Sequence, residues 1–273
     1  MTGVIKTPGG KPDVREDGII VLNMHITKML RAIALLIAIP LCLPESAPAQ
    51  TQARALVAQM IEALGGELFL DVREIHTTGR FFSFKKGELS GADLFADYVK
   101  FPDMERTEFG REKNRTITIN KGAEGWLINT REKEIEPQPA SQSEEFAAGF
   151  KTSFDYILRF VLNHPQTTLQ SLGNEIIDFK RADVLEVRDP AKNLIRFYID
   201  RSSHLPVKMQ VRRAGERDLR EEFFGNWHKF EGVTTAMFVS RSTDGQKTME
   251  IRLETATYNS DLSDSLFTPT LPK

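Results

Sequence analysis

Leu205-Pro206-Val207-Lys208-Met209-Gln210-Val211-Arg212 is the stretch whose reading decides the fold. Leu205, Val207, Met209 and Val211 fall on every second residue, with Lys208, Gln210 and Arg212 between them. Successive side chains of a strand point to opposite faces, so this alternation sets one face on a core and the other in water. Thr248-Met249-Glu250-Ile251-Arg252-Leu253 repeats the pattern: Met249, Ile251 and Leu253 face one way and Thr248, Glu250 and Arg252 the other.

Working outward from these two segments, short β patterns recur at 72–84, 94–101, 105–109, 116–119 and 125–128. They resume at 184–187, 194–199, 219–227 and 236–240. Lys121-Gly122, Asp189-Pro190, Ala214-Gly215, Glu231-Gly232 and Asp244-Gly245 supply turn chemistry between them. Regular short strands separated by turn residues predict a consecutive antiparallel sheet.

Two segments carry a helical period instead. In 52–64, Ala55, Leu56, Met60, Ile61 and Leu64 recur at three- and four-residue steps, and Gly65-Gly66 supplies a C-cap rather than a phosphate loop. Between Pro139 and Pro165, the stripe Phe146, Phe150, Phe154, Ile157, Leu158, Val161 and Leu162 predicts one long helix with a buried face. Ser141 to Ser143 offers N-cap candidates, and Pro165 forbids continuation. The expected architecture is mainly β (α+β): a helix, about five strands, a long helix and about six strands. Helices must bury their apolar face, so the economical arrangement is one large curved antiparallel sheet with the helices packed in its concave side.

The 273 residues carry a formal charge of −2, which lacks the clustered basic excess of a nucleic-acid binder. From Met24, a positive segment (His25, Lys28, Arg31) precedes an apolar run at 32–43 and then Ala47-Pro48-Ala49, the layout of a secretory signal cleaved after Ala49. The run is short of the roughly 20 residues that span a bilayer. Residues 24–49 are therefore read as a signal peptide, 1–23 as a disordered or mis-started extension, and 50–273 as a single exported domain. Cys42, the one cysteine, follows Leu41 rather than a small residue, which argues against lipidation there.

The remaining residues carry no recognised catalytic or metal-binding pattern. His76, His164, His204 and His228 form no HxxxH, HExxH or HxH spacing, and neither a GxSxG elbow nor a GxxxxGK[ST] loop occurs. No enzyme, metal or cofactor is expected. The mixed-charge stretch from Glu105 through Arg115 reads as a solvated strand and turn, and Arg212, Arg213, Arg217 and Arg220 as an exposed docking edge.

The order of features in the C-terminal half resembles a known family. Phe197-Tyr198-Ile199-Asp200 precedes Leu205-Pro206-Val207-Lys208; then come Glu222-Phe223-Phe224-Gly225-Asn226-Trp227, the turn Glu231-Gly232-Val233, and Met249-Glu250-Ile251. Asn259-Ser260-Asp261-Leu262 and Leu266-Phe267-Thr268-Pro269 close the chain, and Gly122-Ala123-Glu124-Gly125-Trp126 precedes the central helix. Over 52–272 this resembles the periplasmic outer-membrane lipoprotein carriers and lipoprotein-sorting proteins (LolA-like), with departures in length at 131–145 and 212–222. The resemblance implies a half-open β-barrel closed by helices, with an apolar cavity that shields acyl chains of a lipoprotein or another lipid. It also implies a membrane-protein donor or acceptor as partner. A sensor or regulatory binding module on the same half-barrel is the alternative.

Phenylalanine adds ring area without a polar atom to satisfy, and the chain holds 18 of them against 4 Tyr and 2 Trp. The candidate cavity-lining residues are Phe82, Phe84, Phe95, Phe101, Trp126, Ile128, Phe197, Phe223, Trp227 and Phe238 on strands, with Phe150, Phe154 and Ile157 on the helix.

Overall fold

Thirteen strands form a single antiparallel sheet in the computed structural model, which describes residues 46–111 and 114–272. Six strands precede the central helical segment: β1 (Glu74–Lys85), β2 (Glu88–Lys100), β3 (Met104–Arg111), β4 (Asn114–Lys121), β5 (Glu124–Asn129) and β6 (Glu134–Pro137). Seven follow it: β7 (Thr168–Ile177), β8 (Lys180–Arg188), β9 (Leu194–Asp200), β10 (Pro206–Arg212), β11 (Arg220–Phe230), β12 (Val233–Thr243) and β13 (Gln246–Tyr258). The extension 1–23 and all but the end of the expected signal segment lie outside the described residues; from Ser46 on, the chain forms one compact unit.

Spatial order runs β6-β5-β4-β3-β2-β1-β13-β12-β11-β10-β9-β8-β7. Each half of the chain is a meander, and the first and last strands pair in the middle, Ile75 opposite Tyr258. Gly79 is required at this seam: a β-carbon there would lie 2.2 Å from the Arg252 carbonyl oxygen, at a bulge that bends the sheet. Because β6 and β7 are the two outer edges, the segment joining them must travel from one edge to the other. The sheet stays open as a half-barrel, and that segment spans its concave side.

Helix α1 (Ser46–Leu64) ends where Gly65 and Gly66, both at positive φ, donate back to the Ile61 carbonyl. A single helical turn, α2 (Glu67–Leu70), follows. The expected long helix is interrupted. Helix α3 (Ala140–Lys151) starts after Pro139 without a side-chain cap and stops at Thr152, whose hydroxyl turns back to the Ala148 carbonyl. Ser153 then caps a new turn, α4 (Phe154–Tyr156), by accepting from the Tyr156 amide, and Ile157–Val161 continues as a π-helical turn. The wider turn departs from the 3.6-residue period, so one unbroken stripe was the wrong expectation.

The main core joins Ala53, Leu56, Met60 and Leu64 of α1 to Leu185, Val187, Ile195, Phe197, Met209 and Val211 on β8–β10. Helix α1 thus fills one half of the concavity with solid packing. A second, smaller core lies on the opposite face of the sheet, where Phe267 of the closing 3₁₀ turn (Asp264–Phe267) covers Ile117, Ile119 and Ile128. Among the described residues no helix is long and apolar enough to cross a membrane.

Candidate functional site

The half of the concavity that α1 does not fill holds a cavity of about 470 Å³. Its sheet wall comes from the inward-facing residues of six strands, β3, β2, β1, β13, β12 and β11. Opposite residues in an antiparallel pair share a face, so the register determines the wall. Ile75 pairs with Val99, Gly79 with Phe95, and Val239 with both Ile251 and Phe224. The helical segment supplies the other wall through Phe146, Phe150 and Phe154.

These rings fall into two groups. Phe150 lies 5.4 Å from Phe146 and 5.8 Å from Phe101, centroid to centroid, and Phe154 lies 4.8 Å from Phe224 and 6.4 Å from Trp227. Such tilted aromatic contacts suit the ring quadrupoles while leaving hydrocarbon surface toward the space between. At roughly 30 Å³ for a group of water's size, the cavity has room for about fifteen methylene-sized groups.

Charged groups enter the same space. Arg159 donates to the Phe69 carbonyl at 3.1 Å, pairs with Asp155, and stacks its guanidinium 3.9 Å from the Phe69 ring. Arg241 pairs with Glu222 at 2.8 Å, and Arg220 donates to the Thr152 carbonyl at 2.7 Å, tying the end of α3 to β11. Burial lowers the Arg220 pKa despite the nearby Glu222. The Tyr258 hydroxyl, 2.5 Å from Thr235 Oγ1, is pushed up to about 12 by burial.

Two carboxylates on the β2–β3 wall stand apart. Burial pushes Asp97 up to about 6, although the hydrogen bond from Thr107 (2.8 Å) pulls it down. Glu105 is raised well above the usual range, first by burial and then by the Asp97 charge, with Arg241 acting the other way.

Five of the sequence-predicted lining residues reach this cavity: Phe95, Phe101, Phe150, Phe154 and Trp227. Eight do not. Phe197 and Ile157 are fully buried in the packed core. Trp126 and Ile128 point to the other face and pack around Ile117, Ile119 and Phe267. Phe82 and Phe238 share the outer face with Arg252, Phe84 lies under Lys247 at 4.4 Å, and Phe223 lies opposite Lys208. For the six on the outer face the physical reason is period two, since residue type alone does not state which parity faces inward; Phe197 and Ile157 instead lie where the main core is packed solid. Phe224, one residue beyond Phe223, is the inward ring.

The charged stretch expected to be solvated is also corrected. Arg106 and Glu108 are buried under the smaller core, paired at 2.7 Å, and Glu105 faces the cavity. Of the four arginines read as an exposed edge, Arg213 holds Glu145 of α3 by two hydrogen bonds (2.7 and 2.9 Å) and Arg220 sits in the cavity wall; Arg212 and Arg217 are exposed. Among the described residues, no group of three or more His, Cys, Asp or Glu is placed to hold a metal ion.

Solved structures share this architecture. A DUF1329 family protein from Desulfovibrio piger matches with a TM-score of 0.54 and 13% identity, over 79% of this chain and 96% of that one. A domain assigned to outer membrane lipoprotein sorting, from Vibrio parahaemolyticus, matches with a TM-score of 0.53 and 13% identity, over 80% and 97%. The chain shares the fold of these two proteins. A LolA superfamily protein from Nitrosomonas europaea follows at a TM-score of 0.49 and 15% identity, over 79% and 97%. No protein-family model and no curated protein sequence matches the chain. At these identities the likeness is one of fold, so cargo must be argued from the cavity itself.

Proposed function

We propose that this protein is an exported lipid carrier or chaperone that shields hydrocarbon chains, such as the acyl chains of a lipoprotein, in its cavity. The observation that carries this reading is the open, aromatic-walled space of about 470 Å³ left between the helical segment and six strands. Its size falls within the roughly 300–1,000 Å³ of small-molecule sites. Burying apolar surface is worth roughly 25 cal/mol per Å², so a chain lying along the Phe146–Phe150–Phe154 wall gains affinity without any specific polar contact. The proposed route is export through the signal at 24–49, cargo uptake from a membrane-protein donor, and delivery to an acceptor. The reading is that of a binder and assigns no catalytic step.

Native mass spectrometry of the protein purified from its own cells, with lipid extraction, tests it. A co-purifying lipid, together with saturable binding of the uncharged probe N-phenyl-1-naphthylamine at micromolar protein, is the expected result. Protein that carries no lipid and fails to saturate with the probe would remove the carrier reading.

A further inference from the structure

Apolar cavities that take bare hydrocarbon have little use for ionisable groups, since each carboxylate taken from water costs several kcal/mol unless paired. This cavity nonetheless contains an unequal set of charges. Asp155 is matched by Arg159 from its own helical turn; Glu222 is matched by Arg241, with Arg220 at 3.6 Å; and Glu145 is held from outside by Arg213. Asp97 and Glu105 remain. Among the described residues neither forms an ion pair within 4.0 Å, although the Arg241 charge acts on Glu105 from further away, and both face the cavity from adjacent strands. Their register makes them near neighbours: Asp97 lies opposite Thr107, and Glu105 lies two residues further along the same face. Burial and the Asp97 charge favour the protonated form of Glu105, so the surplus negative charge on this wall of the half-open cavity resides first on Asp97.

We infer that Asp97 and Glu105 make the cavity selective by charge, admitting chains with a cationic or uncharged head and rejecting those that carry an anion. This rests on the carrier reading and narrows its cargo class. A positive head placed near the pair gains attraction that is screened less than in bulk water, and an anionic head meets a like charge there. An uncharged head, as on a fully esterified or amidated lipid, falls between the two. The tertiary arrangement alone brings the pair together, and Thr107 holds the Asp97 carboxylate in place from β3.

Displacement of bound N-phenyl-1-naphthylamine by decylamine, decanol and decanesulfonate, all below micelle concentration, separates the outcomes. At pH 8 the expected order of affinity is amine, then alcohol, then sulfonate, with amine and sulfonate about tenfold or more apart. Asp97→Asn combined with Glu105→Gln should collapse that gap. In the unaltered protein the gap should also narrow between pH 8 and pH 5, as Asp97 takes up its proton; this measurement stands even where the double variant fails to fold. Equal displacement by all three chains, or a gap that persists in the folded double variant, would overturn the selectivity while leaving the carrier reading intact. Failure of the probe and of decanol to bind would instead take away both.

Discussion

Replacing Asp97 by Asn should stabilise the protein in alkaline solution and leave it unchanged in acid. The native carboxyl titrates at about 6 against an ordinary 3.8, because burial penalises its charged form. A group whose folded pKa is raised binds its proton more tightly when folded. Its contribution is complete below the unfolded pKa and is lost as pH rises through 6. About two pKa units correspond to roughly 3 kcal/mol at 1.36 kcal/mol per unit. Asp97 is only half-buried, with part of its surface on the cavity, so a discounted figure on the order of 2 kcal/mol is appropriate. Asn removes the ionisation and keeps an oxygen to accept from Thr107. At about 2–4 °C per kcal/mol for a domain of this size, the variant should melt roughly 4–8 °C above the parent at pH 8, and within about 1 °C of it at pH 4. Thermal unfolding followed by circular dichroism at the two pH values provides the comparison. The same shift at both, or a lower melting point at pH 8, would refute the argument that an uncompensated charge resides in the cavity.

Two further outcomes test the assignment of faces. Phe224→Ala should weaken N-phenyl-1-naphthylamine binding by about tenfold, since a buried ring is worth roughly 1.5–3 kcal/mol, whereas Phe223→Ala should leave it within about twofold; fluorescence titration of both variants distinguishes inward from outward parity. Phe267→Ala removes the lid of the smaller core, where the ring is 1% exposed, and should cost about 3–5 kcal/mol in urea unfolding with probe affinity unchanged at 20 °C.

The strand content was legible because alternation is a local property. Leu205 to Arg212 and Met249 to Leu253 announce their pleat, and the Gly-containing turns at 122, 215, 232 and 245 all fall between strands. Strands β6 and β7 are not legible because they are edges: Glu134-Ile135-Glu136-Pro137 is exposed throughout, and β7 carries a register shift between Ser171 and Asn174 that breaks its alternation. The interrupted helical segment was half legible. Its apolar residues are there, but the break at Thr152-Ser153 depends on a hydroxyl turning back on the helix and on Arg220 reaching over from β11.

By itself the sequence determined the order of elements, a leading helix, a meander, a Phe-rich helical segment and a second meander, because each follows from spacing within a dozen residues. It also determined the abundance of aromatic side chains without saying where they would point. Only the tertiary structure decided that β1 pairs with β13, that α1 fills one half of the concavity, and that the other half stays open. Register across strands far apart in the chain selected Phe224 over Phe223, sent Trp126 and Ile128 to the outer face, and brought Asp97 within reach of Glu105. Which face is inside is a matter of what a strand meets, and its own residues do not specify that partner.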